Sequence, residues 1–398
     1  MPAIPDRSIA QSSRRSAWAA LALLACLGPA AIAPASPLKF SFTPTGALAE
    51  LESTDSTLYG KVLGGFATAG EFWSSRLQDD MTINVTIDLP ALPRGIVGYT
   101  EAPSMGVMYS DIRMALTMDR KSADDFTAVA ALPSGDSLSF LTNNTTTGGL
   151  EVDDNGSANN LYLDVTRANL KALGFDAPGF LEPNDAVLDA SISFSNAVAW
   201  DFDRSDGIGA DTLDFVGVAI HEIGHTMGFL SGVATVDYFS APFGLDPGRS
   251  LDDVAVFSVL DLFRHGARNG GGLDFATDGV DAENPYFSLD GGLTALATFS
   301  TGQFNGDGWQ AHHWKDGLGI GIMEPVFAYG ELKAATALDV RAFDAIGYDL
   351  VVPEIDPAGT GSVLALVAGA LGLLERRRQR NGRPPSDTFT SSMRSRGG

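Results

Sequence analysis

Between residues 56 and 78 the apolar positions Leu58, Val62, Phe66 and Phe72 recur at near-helical spacing, which predicts a helix despite several glycines. From Met81 to Leu89 the period changes to two, with Ile83, Val85 and Ile87 alternating against polar neighbours, as in a half-buried strand. Residues 104–132 read as partly helical, and Asn143 to Asn160 as a polar, glycine-rich loop. Val187 to Trp200 reads as a second strand, with Ile192 and Phe194 on one side. Its stretch Ala190 to Ser195 is a candidate to line a cleft and pair with an extended peptide, with an ordinary sheet strand as the alternative. Asp214 to Phe229 differs in kind: it is apolar around most of a helical circumference, so this helix belongs inside the fold. Ser231 to Gly308, rich in Gly, Asp and aromatic residues, is expected to be irregular with short strands. Thr336 to Ile346 reads as a closing helix, with Asp339 in the first turn where the macrodipole favours an acid. No internal repeat interrupts this order. An early helix, several strands and one buried helix give an α+β fold with a cleft between two subdomains.

The two ends follow different rules. Arg14 and Arg15 precede an apolar run from Ala17 to about Leu27, and Ala33-Pro34-Ala35 offers a cleavage site. Positive, apolar, then small is the order of a secretory signal peptide, so residues 1–35 read as one and the protein as exported. Gly28 and Pro29 cut the run too short for a membrane span. Cys26, the single cysteine, lies within it, so the body forms no intramolecular disulfide. At the other end Val352-Pro353-Glu354-Ile355-Asp356 precedes a nearly uncharged stretch from Gly359 to Leu374, closed by Glu375-Arg376-Arg377-Arg378-Gln379-Arg380. At 1.5 Å per residue that stretch would reach about 24 Å as a transmembrane helix, held by the arginines on the cytoplasmic side. The tripartite tail, residues 351–380, resembles the PEP-CTERM sorting signal of Gram-negative bacteria. That resemblance implies a transient encounter with an exosortase-type enzyme at the inner membrane and delivery to the outer envelope or extracellular matrix. Residues 381–398 extend beyond it as a basic polar tail.

Charge narrows the partners. The 398 residues carry 49 acidic against 26 basic side chains, a formal charge of −23, and the basic ends make the body more acidic still. A nucleic-acid-binding chain needs a basic face, and this composition argues against one. Asp outnumbers Glu 37 to 12, which suits turns and also leaves room for a structural Ca2+ ion. Asp278-Gly279 and Asp307-Gly308 read first as plain turns.

Only five histidines occur: His221, His225, His265, His312 and His313. Two of them lie in the buried helix as His221-Glu222-Ile223-Gly224-His225. At about 100° per residue, His225 falls one turn beyond His221 on the same face, so the two imidazoles can chelate one ion. Nitrogen donors suit zinc, and Glu222 beside them is placed to take a proton from a zinc-activated water. This is the HExxH metalloprotease pattern. A catalytic zinc needs a third protein ligand, and His265, His312, His313 or a downstream acid such as Asp252 or Glu283 can supply it. His265, beside Arg264 and Arg268, reads as a surface residue. Asp214 reads as the helix cap, with orientation of a ligand as the alternative. Neither Tyr329 nor Tyr348 is assigned a role.

His221 through Gly228 runs HEIGHTMG, the opening of the metzincin signature, but Ser231 stands where that signature places its last histidine. His312-His313-Trp314-Lys315 followed by Gly321-Ile322-Met323-Glu324-Pro325, and the ending Ala342-Phe343-Asp344-Ala345-Ile346-Gly347-Tyr348, resemble the leishmanolysin-like branch of the metzincins. Together with the sorting tail they resemble a bacterial group of PEP-CTERM metalloproteases. The resemblance implies a two-subdomain zinc protease with a central cleft. Its catalytic subdomain would be residues 36–230 and its C-terminal subdomain 231–350. It further implies His221, His225 and His313 as metal ligands, Glu222 as general base, Gly228 at a sharp bend, and Met323 as an apolar floor under the imidazoles. The activity implied is hydrolysis of peptide bonds in protein substrates. The alternative is a non-catalytic zinc- or calcium-binding matrix or adhesion protein.

Overall fold

The computed structural model describes residues 38–175, 187–277 and 284–351. Residues 1–37 and 352–398, where the signal peptide and sorting tail are expected, lie outside the described residues, as do Asp278-Gly279 and Glu283. The main sheet has four strands: β1 (Lys39–Pro44), β2 (Thr82–Asp88), β3 (Gly98–Glu101) and β4 (Ala190–Phe194). Their spatial order is β1-β2-β4-β3, with the first three parallel and β3 antiparallel at the edge. The alternation of β2 is the reason for its place: Ile83, Val85 and Ile87 are all buried, on the face that receives the helices. β4 pairs on both sides, Ile192 facing Ile87 and Thr100, so it is an interior strand. The expectation that this segment pairs with an extended peptide is corrected: both its edges are taken, and the edge strands of the sheet are β1 and β3.

Of the helices that pack on this sheet, two position the site. The long helix Ser56–Ser74 lies on β1, and the motif helix Phe215–Thr226 lies on β3 and β4 and against the long helix. Phe215 joins all three elements: its ring is 5.5 Å from Phe66, 4.9 Å from Phe194 and 4.5 Å from Phe202. Truncating such a side chain to alanine costs about 3–5 kcal/mol. Trp73 adds a polar tie, its indole donating to the Ile220 carbonyl at 3.1 Å inside the core. The closing helix Ala337–Ala345 starts at Thr336 with a capping box completed by Asp339, and Phe343 packs on Trp73 with centroids 4.6 Å apart.

Elsewhere the structure refines the pattern. Residues 104–132 form a strand Ser104–Met108 followed by helices Tyr109–Asp119 and Ala123–Ala131. The segment 143–160 is not wholly a loop. Leu150–Asp153 pairs with Phe140–Asn143, and Ala158–Leu161 is a short helix capped by Ser157. Exposed Leu150 and Val152 are held by backbone pairing to a strand anchored through buried Phe140, a tertiary cause that polar composition conceals. Ser231–Gly308 is largely irregular, with a helix Val233–Phe239 and two-residue strands at Arg264–His265, Tyr286–Phe287 and Ala297–Thr298. The architecture is α+β, and its described part up to Leu350 falls in one compact unit. No helix among the described residues is long and apolar enough to cross a membrane.

Candidate metal centre

The motif helix is set at both ends by short-range chemistry. Asp214 caps its start, one carboxylate oxygen accepting from the Gly217 amide at 2.9 Å and the other facing Arg204 at 3.0 Å. It is therefore a cap and touches no imidazole. At the far end the Gly228 amide donates to His225 O and the Phe229 amide to Gly224 O, a Schellman closure with Gly228 at φ +105°. That turn brings the Phe229 carbonyl back to accept from His225 Nδ1 at 2.8 Å.

His221 and His225 project from one face with Nε2 atoms 3.0 Å apart. His221 Nδ1 lies 2.8 Å from the Ile322 carbonyl, and His313 Nδ1 lies 3.1 Å from that of Gln310. The His313 ring stacks on His221 and meets His225 edge-on, with centroids 5.2 and 5.1 Å apart. One ligand nitrogen from each of the three imidazoles lies within 4.8 Å of the others, all three residues are buried, and no carboxylate among the described residues joins the group.

Burial sets the charge state. It brings His225 down to about 4. His221, through burial and then its neighbour His225, and His313, through burial and then His312, fall well below the ordinary imidazole value. All three rings are thus neutral, and the carbonyl at each Nδ1 fixes the proton there. The Nε2 lone pairs of His221 and His225 then face each other at 3.0 Å, an arrangement that repels unless a positive charge lies between. Three converging neutral imidazoles with satisfied outer nitrogens suit zinc, and the residues present fit that ion.

Several buried groups deliver His313 to this point. Arg264 donates to the carbonyls of Ala311 (3.2 Å) and Ser300 (2.8 Å), and the Ser300 amide donates to His313 O at 3.0 Å. Trp314 sits between Phe229 and Phe299, and its indole donates to Asp339 Oδ1 at 2.8 Å. Asp339 also accepts from the amides of Ile322 (3.0 Å), Met323 (3.3 Å) and Thr336 (2.6 Å). Met323 is fully buried against the motif helix, where a Cβ on Gly224 would come 2.6 Å from its sulfur. Burial pushes the Glu222 carboxyl up to about 7, against a 2.7 Å hydrogen bond that Thr100 donates to its Oε2.

The remaining candidates fall elsewhere. His312 is half-buried, its ring 5.0 Å from His225, and stands outside the group. His265 is buried, which corrects the surface reading: its Nδ1 bonds to Gly271 O at 2.8 Å and its strand pairs with Tyr286. The flanking charges that suggested exposure are satisfied internally, Arg264 on carbonyls and Arg268 on Asp274. Asp252 is exposed and accepts from Asn155. Ser231 donates to buried Asp261 at 2.5 Å. Tyr329 is exposed, and Tyr348 is packed in the core against Phe343. Sequence reasoning missed Thr100, Arg264 and Asp261, and saw in Asp339 only a partner for the dipole. Of these four, only Asp339 carried a local signal, the Thr336-x-x-Asp339 spacing of a capping box; nothing local marks the others.

Comparison with family models, curated proteins and solved structures gives no match for this chain.

Proposed function

We propose that the protein is a zinc-dependent endopeptidase of metzincin type, with its substrate crossing the imidazole cluster. The observation that carries this reading is the convergence of His221, His225 and His313 within 4.8 Å, on the helix and loop that also bring Glu222 beside them. Zinc bound by the three imidazoles would polarise a peptide carbonyl and lower the pKa of a water to about 7. Glu222 takes the proton from the attacking water as the C–O bond forms, then gives it to the departing amine nitrogen as the C–N bond breaks. Burial, which raises the Glu222 carboxyl in the metal-free protein, favours its taking up that proton. The open edge of β3 offers backbone donors and acceptors to an extended peptide. The signal-peptide-like start and the PEP-CTERM-like tail of the sequence support an activity outside the cytoplasm, on proteins of the envelope or matrix. In the test, Glu222→Ala of the full chain retains about one zinc per molecule while hydrolysis of labelled casein falls by about 10³-fold. Undiminished hydrolysis in that variant would remove Glu222 from its role.

A further inference from the structure

The edge strand does more than border the helix. Gly98 and Thr100 occupy alternate positions of β3 on its inward side, and Tyr99 and Glu101 point outward. The Thr100 hydroxyl lies 2.7 Å from Glu222 Oε2 and 3.0 Å from the Glu222 carbonyl. On the other side of the same carboxylate, a Cβ on Gly98 would stand 3.1 Å from the Phe194 ring and 3.2 Å from Oε1, so glycine here lets both approach the strand. Glu222 is buried and has no other hydrogen-bonding side chain among those of the described residues. A glutamate has three rotatable torsions, and nothing in its own helix selects one of them for the carboxylate.

We infer that Thr100 is a positioning residue for the general base, holding Glu222 Oε2 so that Oε1, which Gly98 lets lie close to the strand, is the oxygen that exchanges a proton with the reactants. Thr100 donates one hydrogen bond throughout and transfers no proton itself. The strand whose outer edge is free for a peptide backbone therefore also aims the base through its inner face. Substrate register and base orientation are set by the same four residues. This inference rests on the endopeptidase reading.

Thr100→Val keeps the β-branched shape and removes only the hydroxyl, and Thr100→Ser restores it. In the zinc-loaded full chain, acting on a quenched-fluorescence peptide library, Thr100→Val is expected to lower kcat by about 10–100-fold with KM unchanged. Zinc content and Tm should stay at wild-type values, and Thr100→Ser should recover kcat to within about threefold. Gly98→Ala, which leaves the hydroxyl in place and crowds the Phe194 ring as well as Oε1, should also lower kcat with zinc retained. Full kcat in Thr100→Val, or a serine variant as slow as the valine one, would overturn the inference while the endopeptidase reading stood. Loss of zinc in Thr100→Val would make the residue structural and overturn it equally. A zinc-loaded wild type that cuts nothing overturns the endopeptidase reading, and this inference with it.

Discussion

Asp339→Asn tests how far the closing helix governs the metal centre. The carboxylate is fully buried and accepts four N–H donors, Trp314 Nε1 and Met323 N on Oδ1 and Ile322 N and Thr336 N on Oδ2. Asparagine keeps one acceptor and turns an amide nitrogen toward the other pair, leaving two buried donors facing a donor. Each unpaired donor costs about 1–3 kcal/mol, so the loss of stability is about 2–6 kcal/mol. The effect on the metal passes through two links. The Ile322 carbonyl orients His221, and the Trp314 amide, next to His313, donates to Met323 O at 3.0 Å. Removing a group that orients metal ligands weakens affinity by about 10–100-fold, or about 1.4–2.7 kcal/mol. Zinc affinity is read by competition with a chromophoric chelator at a temperature where the variant is folded, and stability separately by circular dichroism of the metal-free protein. A lower Tm accompanied by an unchanged zinc Kd would refute the link and leave Asp339 a helix cap alone.

Two further outcomes follow from packing and charge. Asp79 has an oxygen without a hydrogen-bond partner, and burial, then Asp349 and Asp119, push its carboxyl up to about 8. A raised carboxyl favours the folded state fully below its unfolded pKa of about 3.9, and this contribution is lost as pH rises through about 8. Asp79→Asn should accordingly raise Tm by ~5 °C at pH 9 and barely at pH 5; equal shifts at both would show that titration is not the cause. Gly224→Ala places a methyl 2.6 Å from the Met323 sulfur. It should cost about 1–3 kcal/mol in thermal or urea unfolding, and an unchanged stability would show that the methionine is not held against the helix.

Much of this arrangement was legible along the chain wherever periodicity and burial agree. The motif helix is apolar on nearly all sides because it packs against the long helix and two strands at once. The alternation of Ile83, Val85 and Ile87 survives in β2 because only one face of that strand meets helices. The cap at Asp214 and the box at Thr336 are local, so they could be read locally. Thr100 was invisible because a four-residue edge strand has no period of its own; its place is fixed by pairing with β4, almost a hundred residues away. The position of Ala190–Phe194 inside the sheet was hidden for the same reason. His265 was misread because charged neighbours signal exposure only when water solvates them. Here Arg264 is solvated by the carbonyls of Ala311 and Ser300, which lie in another part of the sequence.

The central claim is a single ion held by two imidazoles of one helix and a third from a distant loop. The most direct measurement is zinc bound per chain after equilibrium dialysis, by plasma mass spectrometry, for the wild type, His313→Ala and His312→Ala. The account expects about one zinc in the wild type, the same in His312→Ala, and affinity weakened by more than about 100-fold in His313→Ala. A wild type that binds no zinc, or a His313→Ala variant that binds it as tightly as the wild type, would contradict the account.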